Sequence, residues 1–256
     1  MSLLQYIPTY LLAVALIILL IAFYFIGRTV RKKMRHQAAS GDLLNVGNTL
    51  LGLLALLLAF SFGMSNNRYD ARRSLLVDEL NAIGTAVQRA DVYPDSIRTK
   101  LRKEFKNYIE TRILYYRLGV DNKLINEYYN QSQAVSSRIW KVAAQHTRSD
   151  RETEKVAQLL PALNSMGDIA SSRLSAHLAK IPDTIIYFLL LLSLSSAFLM
   201  GYERKNSIDW VSIMGFSMML SLTIFVIIDL DRPRSGLISL DEQNMRMTDL
   251  LEQFKD

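Results

Sequence analysis

The sequence predicts an all-α integral membrane protein with four transmembrane helices and a helical soluble domain. Three observations carry this expectation. Half of the 256 residues are hydrophobic, and they are concentrated in four uncharged runs instead of spreading evenly through one core. No proline falls between Pro8 and Pro94, so the second run passes without a breaker into charged sequence. Beyond Pro94 the apolar residues recur every three or four positions, which is the helix period. The formal net charge of +6 lies beside the membrane runs and on the helical domain. That points to lipid headgroups and topology, not to nucleic acid. The absence of cysteine excludes a disulfide framework and a thiolate metal site.

The first run, Thr9 to Gly27, has no basic region before it and no cleavage motif after it, so it is expected to stay as the first span. Pro8 stands at its start, where a missing N–H costs nothing. Tyr6, Tyr10, Phe23 and Tyr24 lie near its two ends, as interfacial anchors do. A basic loop follows, with Arg28, Arg31, Lys32, Lys33, Arg35 and His36 opposed only by Asp42. Its expected work is topology and headgroup contact.

The stretch from Asn45 to Gln88 is the one the chain is organised around. It is uncharged from Leu43 to Asn67 and then turns charged without a break. At about 100° per residue, Asn45, Asn48, Gly52, Ala55, Ala59 and Gly63 share one face. Asn66, Asp70, Arg73, Val77, Gly84 and Gln88 continue it. Leu50, Leu54, Leu57 and Leu58 lie opposite, toward lipid or toward the protein core. A small, polar stripe on a membrane helix either admits a closely packed neighbour or lines a water-filled path, and the pattern leaves both open.

After Pro94, Asp95 and Ser96 are placed to cap a helix. Its Ile97, Leu101, Phe105, Tyr108, Arg112 and Tyr115 share a face, and Lys100, Arg102, Lys103 and Lys106 give it a solvated basic side. Gly119 to Asn122 reads as a turn. The next helix turns Leu124, Tyr128, Val135, Ile139, Trp140 and Ala143 inward and ends at His146–Asp150. A last soluble helix runs toward Lys180 on Leu159, Leu163, Met166, Ile169, Leu174 and Leu178, kinked or divided at Pro161. The third span runs from Thr184 to Tyr202 and the fourth from Trp210 to Ile228, joined by a tight polar link, Glu203–Ser207. Ser193, Ser196, Ser217 and Ser221 are expected to bond back to their own helices or across to neighbours. An amphipathic tail carries Met245, Leu250, Leu251 and Phe254. The expected divisions are therefore 1–64, the first two spans and their loop; 65–181, the soluble domain; 182–229, the last two spans; and 230–256, the tail.

Nothing in the sequence supports an enzyme. There is no Gly-rich phosphate loop, zinc-ligand spacing or nucleophile elbow. His36, His146 and His177 are far apart, and no cofactor is expected. Asp78 and Glu79 are adjacent, so on a helix they diverge and do not share a site. Asp229 and Asp231 form a second acidic pair.

Three segments carry a family resemblance: NNRYDARRSLLVDELNAIGTAVQRAD, LPALNSMGDIASSRL, and IIDLDRPRSGL after the fourth span. Together, and in this order, they resemble the bacterial bestrophin-like domain family, and more distantly the bestrophin ion channels. Asn67, Arg68, Tyr69 and Asp70 match the junction where the bestrophins' second helix leaves the membrane. Asp231, Pro233 and Gly236 match the element after their last span. The resemblance implies a homo-oligomer, expected to be a pentamer in a bacterial inner membrane, with the second spans around a central ion path. It places the family's apolar constriction at Asn48, Gly52 and Leu56, of which only Leu56 keeps apolar bulk. Ser235 to Leu240 holds no acid, so no bestrophin-type calcium site is expected.

The function read from this is an ion channel whose pore-lining candidates are Asn45, Asn48, Gly52, Ala55, Leu56, Ala59 and Gly63. The alternative is a non-conducting scaffold or sensor whose soluble domain binds a partner. The expected partners are other copies of the chain and membrane lipids, not nucleic acid. Asp70 lies on the small stripe and Arg72 opposite, so Asp70 is expected to matter more for assembly. Short-loop basic residues tie at seven on each side of the membrane. The resemblance breaks the tie toward a cytoplasmic soluble domain.

Overall fold

Among the described residues, all regular structure is α-helical. The computed structural model describes residues 7–33, 45–118, 121–145, 153–203, 208–232, 234, 236–238 and 245–254, and the backbone of 41–44 and 241–244. The helices are α1 (Thr9–Lys33), α2 (Gly41–Ala90), α3 (Asp95–Arg117), α4 (Asn122–Gln145), α5 (Thr153–Leu178), α6 (Asp183–Glu203), α7 (Trp210–Leu230) and α8 (Asp241–Glu252). The chain forms two units, Met1–Arg68 with Lys180–Arg232, and Tyr69–Ala179 with Pro233–Asp256.

The first unit holds the four apolar stretches long enough to cross a membrane, in α1, the first half of α2, α6 and α7. Helix α1 packs on both α6 and α7. Its core is Leu16, Leu20, Leu54, Leu189, Leu192, Ala197, Leu220 and Ile224. Helices in lipid gain little from apolar burial, so close backbone approach must hold them. That approach is at Gly27 and Gly201. A Cβ on Gly27 would lie 2.0 Å from the Phe198 carbonyl oxygen, and one on Gly201 would lie 1.9 Å from that of Tyr24. Two of the four serines take the two expected roles, one each. Ser193 donates to its own Leu189 carbonyl at 2.6 Å, and Ser221 donates across to the Ala13 carbonyl of α1 at 2.7 Å. The hydroxyls of Ser196 and Ser217 are buried without a partner among the described residues. Arg31 does more than mark topology: it donates to the carbonyls of Tyr202 and Glu203, closing the C-terminus of α6. Arg35, His36 and residues 204–207 of the polar link lie outside the described residues.

In the second unit α3 packs on α4 and α8, and α4 on α5. The expected face of α3 is buried throughout, from Ile97 to Tyr115. Its start differs from expectation. Pro94 occupies the cap position and no side chain caps the helix; the Pro94 carbonyl accepts from Ile97 and Arg98, and Asp95 pairs with Arg98. Helix α4 is rotated from its expected setting. Ile125 and Ser132 are buried with Val135, Ile139 and Ala143, whereas Leu124 is 40% and Trp140 42% exposed. Helix α5 runs through Pro161 undivided, and its inner residues are Val156, Leu159, Ala162, Leu163, Met166 and Ala170; Leu178 is exposed. On α8 it is Met247 that enters the core, while Met245 is 63% exposed. Gly119, Val120 and the His146–Asp150 break lie outside the described residues.

Candidate functional site

The leucine face and the small face of α2 have different fates within the first unit. Leu54 is 2% exposed, and Leu50, Leu57 and Leu58 pack against the same core. The leucines therefore face protein. Asn45, Asn48, Gly52, Ala55, Leu56 and Ala59 are exposed on the chain, and Gly63 is half-buried. A Cβ built on Gly52 or Gly63 would meet nothing within 4 Å. The chain's own packing thus gives no reason for glycine at either position. In the second unit Asp70, Arg73, Val77 and Gln88, on the continuation of this face, are exposed as well.

The junction and the motif after the fourth span meet at one end of the first unit. Arg68 Nη1 lies 3.5 Å from Asp231 Oδ1, and the other carboxylate oxygen of Asp231 accepts from the Ile181 N–H at 2.9 Å. Ser65 donates to the Ile227 carbonyl at 2.9 Å. Asp229 is fully buried in the last turn of α7 and accepts from Thr9 Oγ1 at 2.7 Å. Arg232 donates to the Ile7 carbonyl at 2.7 Å. These bonds gather the start of α1, the exit of α2, the approach to α6 and the end of α7. Together they tie polar groups at or beside the ends of α1, α6 and α7, where unpaired polar groups are costly. Asn67 and Asp70 are exposed, and Tyr69 and Gly236 are half-buried. Pro233 lies outside the described residues. Within the second unit Arg72 is buried and donates to the carbonyls of Ala176 and Ala179 at 3.0 and 2.8 Å. It closes the C-terminus of α5.

The second unit also contains a polar core that the sequence reading did not assign. Glu79 and Arg112 are both fully buried. Arg112 Nε donates to Glu79 Oε1 at 2.6 Å, and its Nη2 donates to the Tyr116 hydroxyl at 2.7 Å. Arg173 Nη1 donates to Glu79 Oε2 at 2.6 Å, and the Tyr116 hydroxyl donates to the same oxygen. The guanidiniums of Arg173 and Arg112 lie 4.2 and 5.1 Å from the centre of the Tyr116 ring. Burial alone would raise the Glu79 pKa. The Arg112 and Arg173 charges, with hydrogen bonds from Arg112 and Tyr116, outweigh it and hold the carboxyl at about 2. Asp78 is exposed, so the two adjacent acids do diverge. A signal was present: Arg112 stands in an otherwise apolar register on α3, and a charge at a core position needs a partner.

Among the described residues, no group of three or more histidine, aspartate or glutamate side chains is placed to hold a metal ion.

The family model for the bestrophin-like domain matches residues 9–245. No curated protein matches the chain. Among solved structures, the chain is similar to a bacterial bestrophin homologue from Klebsiella pneumoniae. It is 11% identical, with a TM-score of 0.70, over 93% of this chain and 97% of that one. Two point variants of that homologue give TM-scores of 0.72 at 11% identity over 95% of this chain, covering 99% and 97% of theirs. At this identity the likeness is one of fold.

Proposed function

The chain belongs to the bestrophin-like domain family, and from that premise we propose that it is an ion channel, a homo-oligomer with α2 around a central path. The observation that carries the reading is the uncovered stripe of α2. Asparagine in hydrocarbon lacks water and costs free energy, so Asn45 and Asn48 need protein or water beside them. The chain itself leaves both exposed. Other copies and the path between them supply what the single chain does not. Asn45, Asn48, Gly52, Ala55, Leu56, Ala59 and Gly63 are the proposed lining. Asn48, Gly52 and Leu56 stand at its constriction, where Leu56 alone offers apolar bulk. The pentamer, the bacterial inner membrane, the lipid contacts and the cytoplasmic soluble domain belong to the same proposal.

The test is flux from liposomes holding the purified protein, measured with cations and with anions. Wild type is expected to conduct, and Gly52→Leu and Ala59→Leu are expected to narrow the path and remove most of the flux. Silent wild-type liposomes holding intact oligomers would favour the second reading, a non-conducting module that binds a partner. The observation favouring that reading is the open groove between α4 and α5, lined by Gln133, Trp140, Asn164 and Asp168.

A further inference from the structure

A cavity of about 200 Å³ lies in the first unit between α1, α6 and α7. Leu12 and Leu16 of α1, Ile186 and Leu190 of α6, and Ile224 and Phe225 of α7 form most of its wall. All three helices carry stretches long and apolar enough to cross a membrane. The two hydroxyls in the wall are already spent as donors. Thr9 donates to Asp229 and Ser221 to the Ala13 carbonyl, each at 2.7 Å. Water in a cavity needs roughly two to four polar partners, and this wall supplies almost none. Apolar cavities stay dry and admit apolar guests; one of roughly 150 Å³ takes up benzene.

The surroundings select the guest. Ala15 and Leu19 belong to the wall and are exposed, Leu19 by 47%, so the cavity opens to the outside of the unit at membrane depth. Among the described residues, no part of the wall comes from α2. In the proposed oligomer, whose arrangement this site assumes, α2 faces the other copies and the wall is left to lipid. One end of the cavity is formed by Thr9 and Ile228. Just beyond it Arg232 donates to the Ile7 carbonyl, which sets a guanidinium at the membrane boundary. Asp229 and Asp231 offset part of its charge, so apolar contact along the wall outweighs attraction at that end.

We propose that this cavity binds one acyl chain of a membrane phospholipid, with the phosphate at the Arg232 end. The chain fills a gap between α1 and α7, whose lining otherwise lacks partner atoms on one side.

The experiment uses the full-length protein in vesicles of phosphatidylethanolamine and phosphatidylglycerol, with a tracer phospholipid that carries a diazirine in one acyl chain. Light is expected to attach the tracer to Leu12, Leu190 and Phe225 several-fold more than to Val14, Ile18, Met218 and Leu222, which are exposed but lie off the wall. Leu12→Phe and Ala15→Phe place a ring in the cavity, and each is expected to remove more than half of that preference. Ala22→Phe, exposed on the same helix but off the wall, is expected to keep it. Labelling spread evenly over wall and exposed residues overturns the proposal, since the lipid is then an ordinary annulus. A wall left unlabelled also overturns it, because another copy or nothing then covers the cavity. So does a preference that persists in both ring variants or vanishes equally in Ala22→Phe. None of these measurements reads flux, so their failure leaves the channel reading standing.

Discussion

Glu79 shares its carboxylate between two guanidiniums in a place that water does not reach. Replacing it with alanine leaves Arg112 and Arg173 buried without their counter-charge, a change that costs about 3–5 kcal/mol. Glu79→Ala is therefore expected to melt the soluble unit well below wild type, as read by circular dichroism. The pH dependence has a definite sign. The folded carboxyl is held at about 2, below its ordinary 4.5. Its contribution is full above the ordinary value and is lost as pH falls from there through about 2, on the order of 3 kcal/mol in all. Acid titration of the unfolding midpoint is expected to show this loss in wild type and a flatter profile in Glu79→Gln. Arg72 acts differently. Its two bonds to the end of α5 are internal to one chain, and charged hydrogen bonds of this kind contribute about 1.5–3 kcal/mol each. Arg72→Ala is expected to lower the melting point of the chain, whereas Asp70→Ala, on the exposed face, shifts the oligomer distribution. Chromatographic size and melting, measured on both variants, separate the two effects.

At the scale of the element, glycine has two distinct uses. Gly27 and Gly201 let α1 and α6 touch backbone to backbone, and a methyl group there must push the helices apart. Gly201→Ala is expected to cost about 1–3 kcal/mol, the range for overpacking, seen as a lower unfolding midpoint in detergent. Gly52 has open space where its Cβ would be. Gly52→Ala is expected to leave that midpoint unchanged when the chain is monomeric and to alter only assembly or flux. Equal damage from the two alanines would remove the distinction between packing within the chain and packing between copies. The tail helix follows the same logic on a smaller scale. Met247, Leu250, Leu251 and Phe254 bind α8 to the core, and Arg102 fastens its end through the Gln253 carbonyl and the face of Phe254.

For the whole molecule, the polar bonds at the two ends of the first unit set the directions of its helices. The start of α1 and the end of α7 meet through Thr9 and Asp229, and Ser65 of α2 reaches the Ile227 carbonyl at the same end. At the other end Arg31 meets the close of α6. The four apolar helices therefore alternate in direction, and the chain leaves for residues 69–179 and returns from them at one end. An even number of spans is expected to put both termini and the soluble unit on one side of a membrane. The side itself is part of the proposed function, and a reporter fused after Asp256 tests it. Fluorescence from a cytoplasm-dependent fusion is the expected result; phosphatase activity there instead places the soluble unit outside.

The sequence by itself determined the helical class, the four apolar stretches and the run of α2 past the membrane boundary. Each rests on local quantities: hydropathy over a span, proline position and the helix period. The buried face of α3 was legible for the same reason, Arg112 included. Tertiary structure alone decided which partner each face meets. The wheel set leucines opposite small residues on α2, but only the packing of Leu54 against its unit's core turned the leucines inward. Glu79, Arg112 and Arg173 lie on three helices far apart in sequence, and no periodicity links them. Ile125 replaced Leu124, and Met247 replaced Met245, because apolar residues on both sides of a helix leave its rotation open to a neighbour's choice. Gly27 and Gly201 read as ordinary span residues until α1 and α6 were brought together. Periodicity states that a face exists; contact with a second helix, at the distance its side chains allow, selects which face it is.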